Sequence, residues 1–257
     1  MSTPTTDFGR HWLNKVPQVT TLFWLIKMMS TTVGETAADF LSADMGFGLA
    51  GTARVTGALL LAALVAQLRA RRHIPFLYWV SVALVSVFGT LVTDLMTDAL
   101  GIPLAASSLG FGVVLLATFA VWFQQEGTLS ILSIDSLKRE LFYWTAIFVT
   151  FALGTATGDW AAEGLGLGYQ MAALLFGVAI ALTALARFAL KANGVLCFWI
   201  AYVLTRPLGA ACGDWLSQPV GNGGLGWGST ATSAFLGVVI VGLVACLSVR
   251  QRQGGPA

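Results

Sequence analysis

The sequence predicts an all-α membrane protein: eight transmembrane helices arranged as four parallel two-helix repeats, with pseudo-symmetry about the membrane normal. Three observations predict it. The 257 residues are 56% hydrophobic and 10% charged, with mean hydropathy +0.79. Soluble domains carry about 25% charged residues. A phrase of aromatic-Trp, nine residues, Gly, four residues and Asp occurs four times, with starts 55, 65 and 55 residues apart. Lys and Arg collect in alternate gaps between apolar runs.

A helix of about 20 apolar residues crosses a bilayer. Residues 1–16 are polar and contain no signal-peptide-like run; they form a cytoplasmic N-terminal segment. The first run, 17–40, carries Phe23-Trp24, Gly34 and Asp39. The Gly46-Phe47-Gly48 turn leads to the second run, 47–68. The third, 77–98, carries Tyr78-Trp79, Gly89 and Asp94, and Gly101-Ile102-Pro103 leads to the fourth, 103–123. Residues 126–140 connect repeats 1 and 2 (17–125) to repeats 3 and 4 (141–249), and the stretch Gln124–Glu140 suits a short interfacial helix. The fifth run, 141–162, carries Tyr143-Trp144, Gly154 and Asp159, and Gly166-Leu167-Gly168 opens the sixth, 167–186. The seventh, 195–216, carries Phe198-Trp199, Gly209 and Asp214. Gln218 to Asn222 reads as an insertion before Gly226-Trp227-Gly228 and the eighth run, 228–249. Residues 250–257 form a cytoplasmic tail. Two spans per unit give every copy the same orientation, hence an axis along the membrane normal.

Eleven of the 14 Lys and Arg residues fall outside the runs: Arg10, Lys15, Arg69, Arg71, Arg72, Lys138, Arg139, Arg187, Lys191, Arg250 and Arg252. They occupy the N-terminus, the even connections and the C-terminus. The positive-inside rule puts both termini in the cytoplasm. The net charge of +2 is no nucleic-acid signal. Cys197, Cys212 and Cys246 read as small buried hydrophobes, and His11 and His73 lie in basic flanks. No metal, nucleotide or hydrolase motif occurs, so no cofactor and no enzymatic activity are expected.

Trp24, Trp79, Trp144 and Trp199 read first as interfacial belt residues, with packing between helices or stacking on an organic cation as alternatives. Gly34, Gly89, Gly154 and Gly209 read as close-packing positions. Each Asp lies about 22 Å along the helix from its Trp, in the outer part of the membrane. Asp39, Asp94, Asp159 and Asp214 either cap the helix ends or form one cluster around the axis. A cluster needs a cation, proton or basic side chain to compensate it, and a metal ion bound by these four carboxylates is one such arrangement.

The repeats also differ. Lys27 stands where the others have Val82, Ile147 and Tyr202; Glu35 where they have Thr90, Thr155 and Ala210; Arg206 where they have Thr31, Ser86 and Phe151. Arg54 is the charge deep in an even run, and Asp98 falls at the outer edge. Glu35 with the four Asp residues forms a candidate ion-binding set, and Lys27, Arg54 and Arg206 are the candidates to balance it.

The four phrases resemble those of a family of bacterial membrane proteins built from four tandem two-helix repeats, each with a characteristic tryptophan, whose repeat is catalogued as one of unknown function. The resemblance covers the whole chain. It implies a multi-pass protein of a bacterial inner membrane, in contact with lipid, and no activity; the sequence itself is compatible with a homo-oligomer. The residues themselves favour a secondary transporter of a metal ion or small organic cation, with acid groups able to couple protons. A cation channel and a non-transporting scaffold or sensor are the alternatives.

Overall fold

The computed structural model describes residues 14–70 and 72–252; Arg10, His11 and Arg71 lie outside them. Eight long helices follow in order: α1 (Thr21–Asp39), α2 (Gly48–Arg69), α3 (Pro75–Asp94), α4 (Leu104–Glu126), α5 (Leu137–Asp159), α6 (Gly168–Phe188), α7 (Gly194–Ser217) and α8 (Ser229–Arg252). Among the described residues there is no strand. Seven of the eight are long and apolar enough to cross a membrane. The exception is α1, which carries Lys27, Glu35 and the hydroxyls of Ser30, Thr31 and Thr32.

Local chemistry sets the helix ends. Thr20 accepts from the Phe23 amide at 3.2 Å and Asn193 from the Val195 amide at 3.0 Å, each satisfying an amide that a helix start leaves unpaired. Pro75 opens α3, where its missing N–H costs nothing. At the other end, α1, α3 and α5 each run directly into a π-helical turn, at Phe40–Asp44, Leu95–Ala99 and Trp160–Gly164. Asp39, Asp94 and Asp159 are the last α-helical residues before these turns. The chain then reverses through glycine: Gly46 and Gly48 have φ of 73° and 67°, a left-handed backbone that a Cβ disfavours. Unit four departs, as the insertion predicts. Its α7 ends at Ser217 with no π turn, and a 3₁₀ turn at Val220–Asn222 follows.

The first helices of the units form a closed ring: α1 on α3, α3 on α5, α5 on α7 and α7 on α1. The second helices pack outside it, each on the first helix of the next unit. Thus α2 covers α3, α4 covers α5, α6 covers α7, and α8 closes the circle on α1. Two layers of contacts repeat this rotation. Near the helix starts, Phe23 meets Trp79, Tyr78 meets Trp144, Tyr143 meets Trp199 and Phe198 meets Trp24, with ring centroids 5.6, 5.6, 6.3 and 5.6 Å apart. Further along, Gly34 lies against Ser86, Gly89 against Phe151, Gly154 against Arg206 and Gly209 against Thr31. The partner is always the residue three positions before the next unit's own glycine. Only rotation about an axis parallel to the helices generates both series. Inverted repeats would bring helix starts against helix ends.

Two expectations change. The tryptophans are not chiefly a belt: Trp79, Trp144 and Trp199 are buried, because each edge packs on the preceding unit's aromatic ring. The 126–140 connection is not an interfacial helix. It holds one 3₁₀ turn, Ile131–Ser133, and folds back onto the bundle with Ile131 and Ile134 buried. Residues 17–125 and 141–249 join in one ring, with α3–α5 and α7–α1 as equivalent contacts. The described end of the N-terminal segment is anchored at the same end of the molecule. Lys15 pairs with Glu140 at 2.7 Å, and Asn14 donates to the Ile131 carbonyl at 3.1 Å.

Candidate ion-binding site on the pseudo-symmetry axis

Every fourth residue of the ring helices faces inward, at 23, 27, 31, 35, 39 and their equivalents. This builds five layers. The aromatic layer comes first, closed by a 2.5 Å hydrogen bond between the Tyr78 and Tyr143 hydroxyls. The next holds Lys27, Val82, Ile147 and Tyr202, all without solvent exposure. The Lys27 amine reaches Thr205 Oγ1 at 3.2 Å and lies 4.3 and 4.4 Å from the ring centroids of Tyr202 and Phe151. Among the described residues it makes no ion pair. Its partner hydroxyl comes from α7, not from the Ser30–Thr32 run beside it.

The third layer contains Thr31, Ser86, Phe151 and Arg206. Arg206 extends from Gly154 toward the fourth layer, where Glu35, Thr90 and Thr155 wait at equivalent positions of the other three units. Its Nη2 donates to Glu35 Oε2 at 2.8 Å, to Thr155 Oγ1 at 2.7 Å and to Thr90 Oγ1. Its Nη1 donates to the Thr31 carbonyl at 3.0 Å. A guanidinium therefore sits on the axis, fully buried and paired with one carboxylate.

Beyond it, the ring opens into a cavity of about 720 Å³. Glu35, Asp39, Asp94, Asp98, Asp159, Glu163 and Asp214 line it, and among the described residues no Lys or Arg does. The four repeated Asp residues thus face one cavity. Oxygens of Glu35, Asp159 and Asp214 all lie within 4.8 Å of one another, a spacing that one hard cation could bridge. Asp39 and Asp94 stand on the wall outside this triad. Seven carboxyl groups crowd one concave mouth, and they cannot all stay ionised together unless a cation or protons compensate them.

Arg54 does not take part. It is exposed on the outer face of α2, and among the described residues no carboxylate pairs with it. The buried face of α2 is set by Thr52, Ala53 and Thr56 against α3, so position 54 points away. Its depth is about 9 Å from the helix start, within reach of the interface for a long side chain. Glu163, Thr90 and Thr155 were not singled out from the sequence as site residues. The threonines carry one signal, since they occupy the register of Glu35. Glu163 carries none beyond lying in the π turn after Asp159.

The chain is matched in four consecutive copies, at residues 22–73, 77–128, 142–193 and 197–253, by the repeat described as Repeat of Unknown Function (DUF347). It belongs to that family of repeat-built helical membrane proteins. No curated protein and no solved structure shows significant similarity to it.

Proposed function

We propose that the chain is a secondary transporter of a cation, a metal ion or a small organic cation, that enters through the acidic cavity. One observation carries this reading: the convergence of Glu35, Asp159 and Asp214 at the floor of a cavity lined, among the described residues, by seven carboxyl groups and no base. A scaffold needs no such concentration of like charge. The filled axis counts against a standing channel, since Arg206, Lys27 and the aromatic layer close it below the cavity. Transport then requires rearrangement of the ring, as in alternating access. Exchange of a cavity proton for the cation would couple the two, and no enzymatic activity is assigned. In this reading the protein sits in a bacterial inner membrane with the aromatic end and both termini cytoplasmic and the cavity facing outward, an orientation that the positive-inside rule favours for the basic residues at the aromatic end.

The test is flux into proteoliposomes of Mn²⁺, Mg²⁺ and methylammonium, with and without a pH gradient. Asp159→Asn and Asp214→Asn are expected to lower flux at least tenfold with little change in melting temperature. Wild-type protein that neither binds nor moves any of the three would leave the scaffold reading in its place.

A further inference from the structure

We infer that the oxygens around Arg206 form a second, inner cation site, which the Arg206 side chain itself fills in this conformation. The inference rests on reading the acidic cavity as the mouth of a cation path. It adds where the cation goes next and what holds the place until then.

The argument starts from a mismatch of shape. A guanidinium is a planar fork, best served by acceptors spread along its edges. Here three oxygens converge on one nitrogen. Glu35 Oε2, Thr155 Oγ1 and Thr90 Oγ1 all meet Nη2, while Nε is buried with no partner. Nη2 carries two N–H groups and cannot serve three acceptors well. Convergence on one point is the geometry of a monatomic cation, not of a fork. Both hydroxyls can accept on the axis. Thr155 Oγ1 donates to the Phe151 carbonyl at 3.3 Å, and Thr90 Oγ1 has two acceptors within reach, the Ser86 carbonyl at 3.2 Å and Glu35 Oε2 at 3.3 Å. Donation to the two backbone carbonyls leaves the lone pairs of both hydroxyls for a cation.

The donor set is one carboxylate and two hydroxyls, with the Thr31 carbonyl 3.0 Å from the neighbouring Nη1. All-oxygen sets of this kind suit hard cations. Three units supply the oxygens and the fourth supplies the occupant. Ala210 stands where the fourth unit would place its own donor, so nothing competes with Arg206 from its own helix. Glu35 belongs to both sites. It lines the cavity beside Asp159 and Asp214, and it pairs with Arg206 at the floor. A cation taken by the outer triad weakens the hold of Glu35 on the guanidinium. Withdrawal of Arg206 then opens the inner site. Arg206 acts as a tethered competitor that keeps the axis shut while no cation is bound.

The experiment measures binding of two probes, Mn²⁺ and guanidinium, to purified protein by calorimetry, beside flux in proteoliposomes. Arg206→Ala is expected to bind at least one probe ten times more tightly than wild type, and adding Thr155→Val is expected to remove the gain. Arg206→Ala protein that is folded and binds both probes no more tightly than wild type would overturn the inference. Thr155→Val alone, nearly isosteric and with Arg206 in place, decides the matter if Arg206→Ala does not fold. It is expected to leave cavity binding unchanged and to lower flux at least tenfold, and unchanged flux would overturn the inference. The two readings fail differently. Loss of probe binding in Asp159→Asn tests the cavity; the gain in Arg206→Ala tests the inner site. A gain without any wild-type cavity binding would sink the cavity reading and leave the inner site standing.

Discussion

At the scale of single residues, the repeat positions separate into those that keep the ring closed and those that give the axis its chemistry. Glycine does the first. A Cβ on Gly209 would overlap the Thr31 side chain, and one on Gly154 would overlap Arg206. Gly209→Leu and Gly154→Leu are therefore expected to destabilise the fold by about 1–3 kcal/mol through overpacking, read as a lower melting temperature in detergent. Gly177→Leu is the control: nothing lies within 4 Å of a Cβ there, so its melting is expected to match wild type. Wild-type melting in both of the first two variants would mean that these glycines are not required for close approach. The glycines were legible because they recur at a fixed offset from Trp and Asp. The sequence reads Arg54 as a balancing charge because the packed face of α2 is marked mainly by small and polar residues, Thr52, Ala53, Thr56 and Gln67, and not by an apolar stripe. Periodicity then carries little information about which side faces inward. Thr90 and Thr155 were hard to see for a different reason: a hydroxyl stands out only once the guanidinium it serves is in place.

At the scale of elements, the eight helices fall where the apolar runs put them; length and hydropathy suffice for seven, and the repeated phrase locates α1. The π turns after Asp39, Asp94 and Asp159 were not legible. A π turn differs from an α turn by one residue per hydrogen-bonded loop and has no compositional mark. The 126–140 connection misled because its mixed polarity suits an interfacial helix as well as a folded-back loop. Ion pairs decide: Arg139 reaches Glu126 at 2.8 Å and Asp135 at 3.2 Å, tying the loop to itself. The N-terminal strap is held at the same end by His73, whose Nδ1 donates to the Lys15 carbonyl at 3.0 Å. Burial pushes the His73 imidazole below its usual value, against the opposing pull of that hydrogen bond. The neutral ring is thus favoured in the folded protein. Its contribution is fully present above the unfolded value of 6.5 and is lost as the pH falls from there toward the lower folded value. Melting is expected to drop between pH 7.5 and 5.5, by at most about 1.4 kcal/mol per pH unit from this group. His73→Gln is expected to show a smaller drop. An equal drop in the variant would remove His73 from the account.

At the scale of the whole molecule, the sequence contains the rotation but not its order. Even spans per unit give parallel copies, yet nothing in the chain says that α2 covers α3 and not its own partner α1. That choice appears only in the packing, with α2 on α3, α4 on α5, α6 on α7 and α8 on α1. The order creates a cage with unlike ends, and sidedness follows from them. Lys15, Arg69, Lys138, Arg139, Arg187 and Lys191 all lie at the aromatic end. Asp44, Asp98 and Glu163 lie in the turns at the cavity end, where the short connections hold no base. Translocating basic loops is disfavoured, so the proposed orientation has the aromatic end in the cytoplasm. Activity-based reporters fused after Arg72, Arg139, Lys191 or Arg252 are expected to report cytoplasm, and those at Asp44 or Asn222 the outer side. Reversal at all six sites would turn the cavity toward the cytoplasm and make the proposed cation an exported one. Reversal at one site alone would be incompatible with α1, the least apolar of the eight helices, and its neighbours all crossing the membrane.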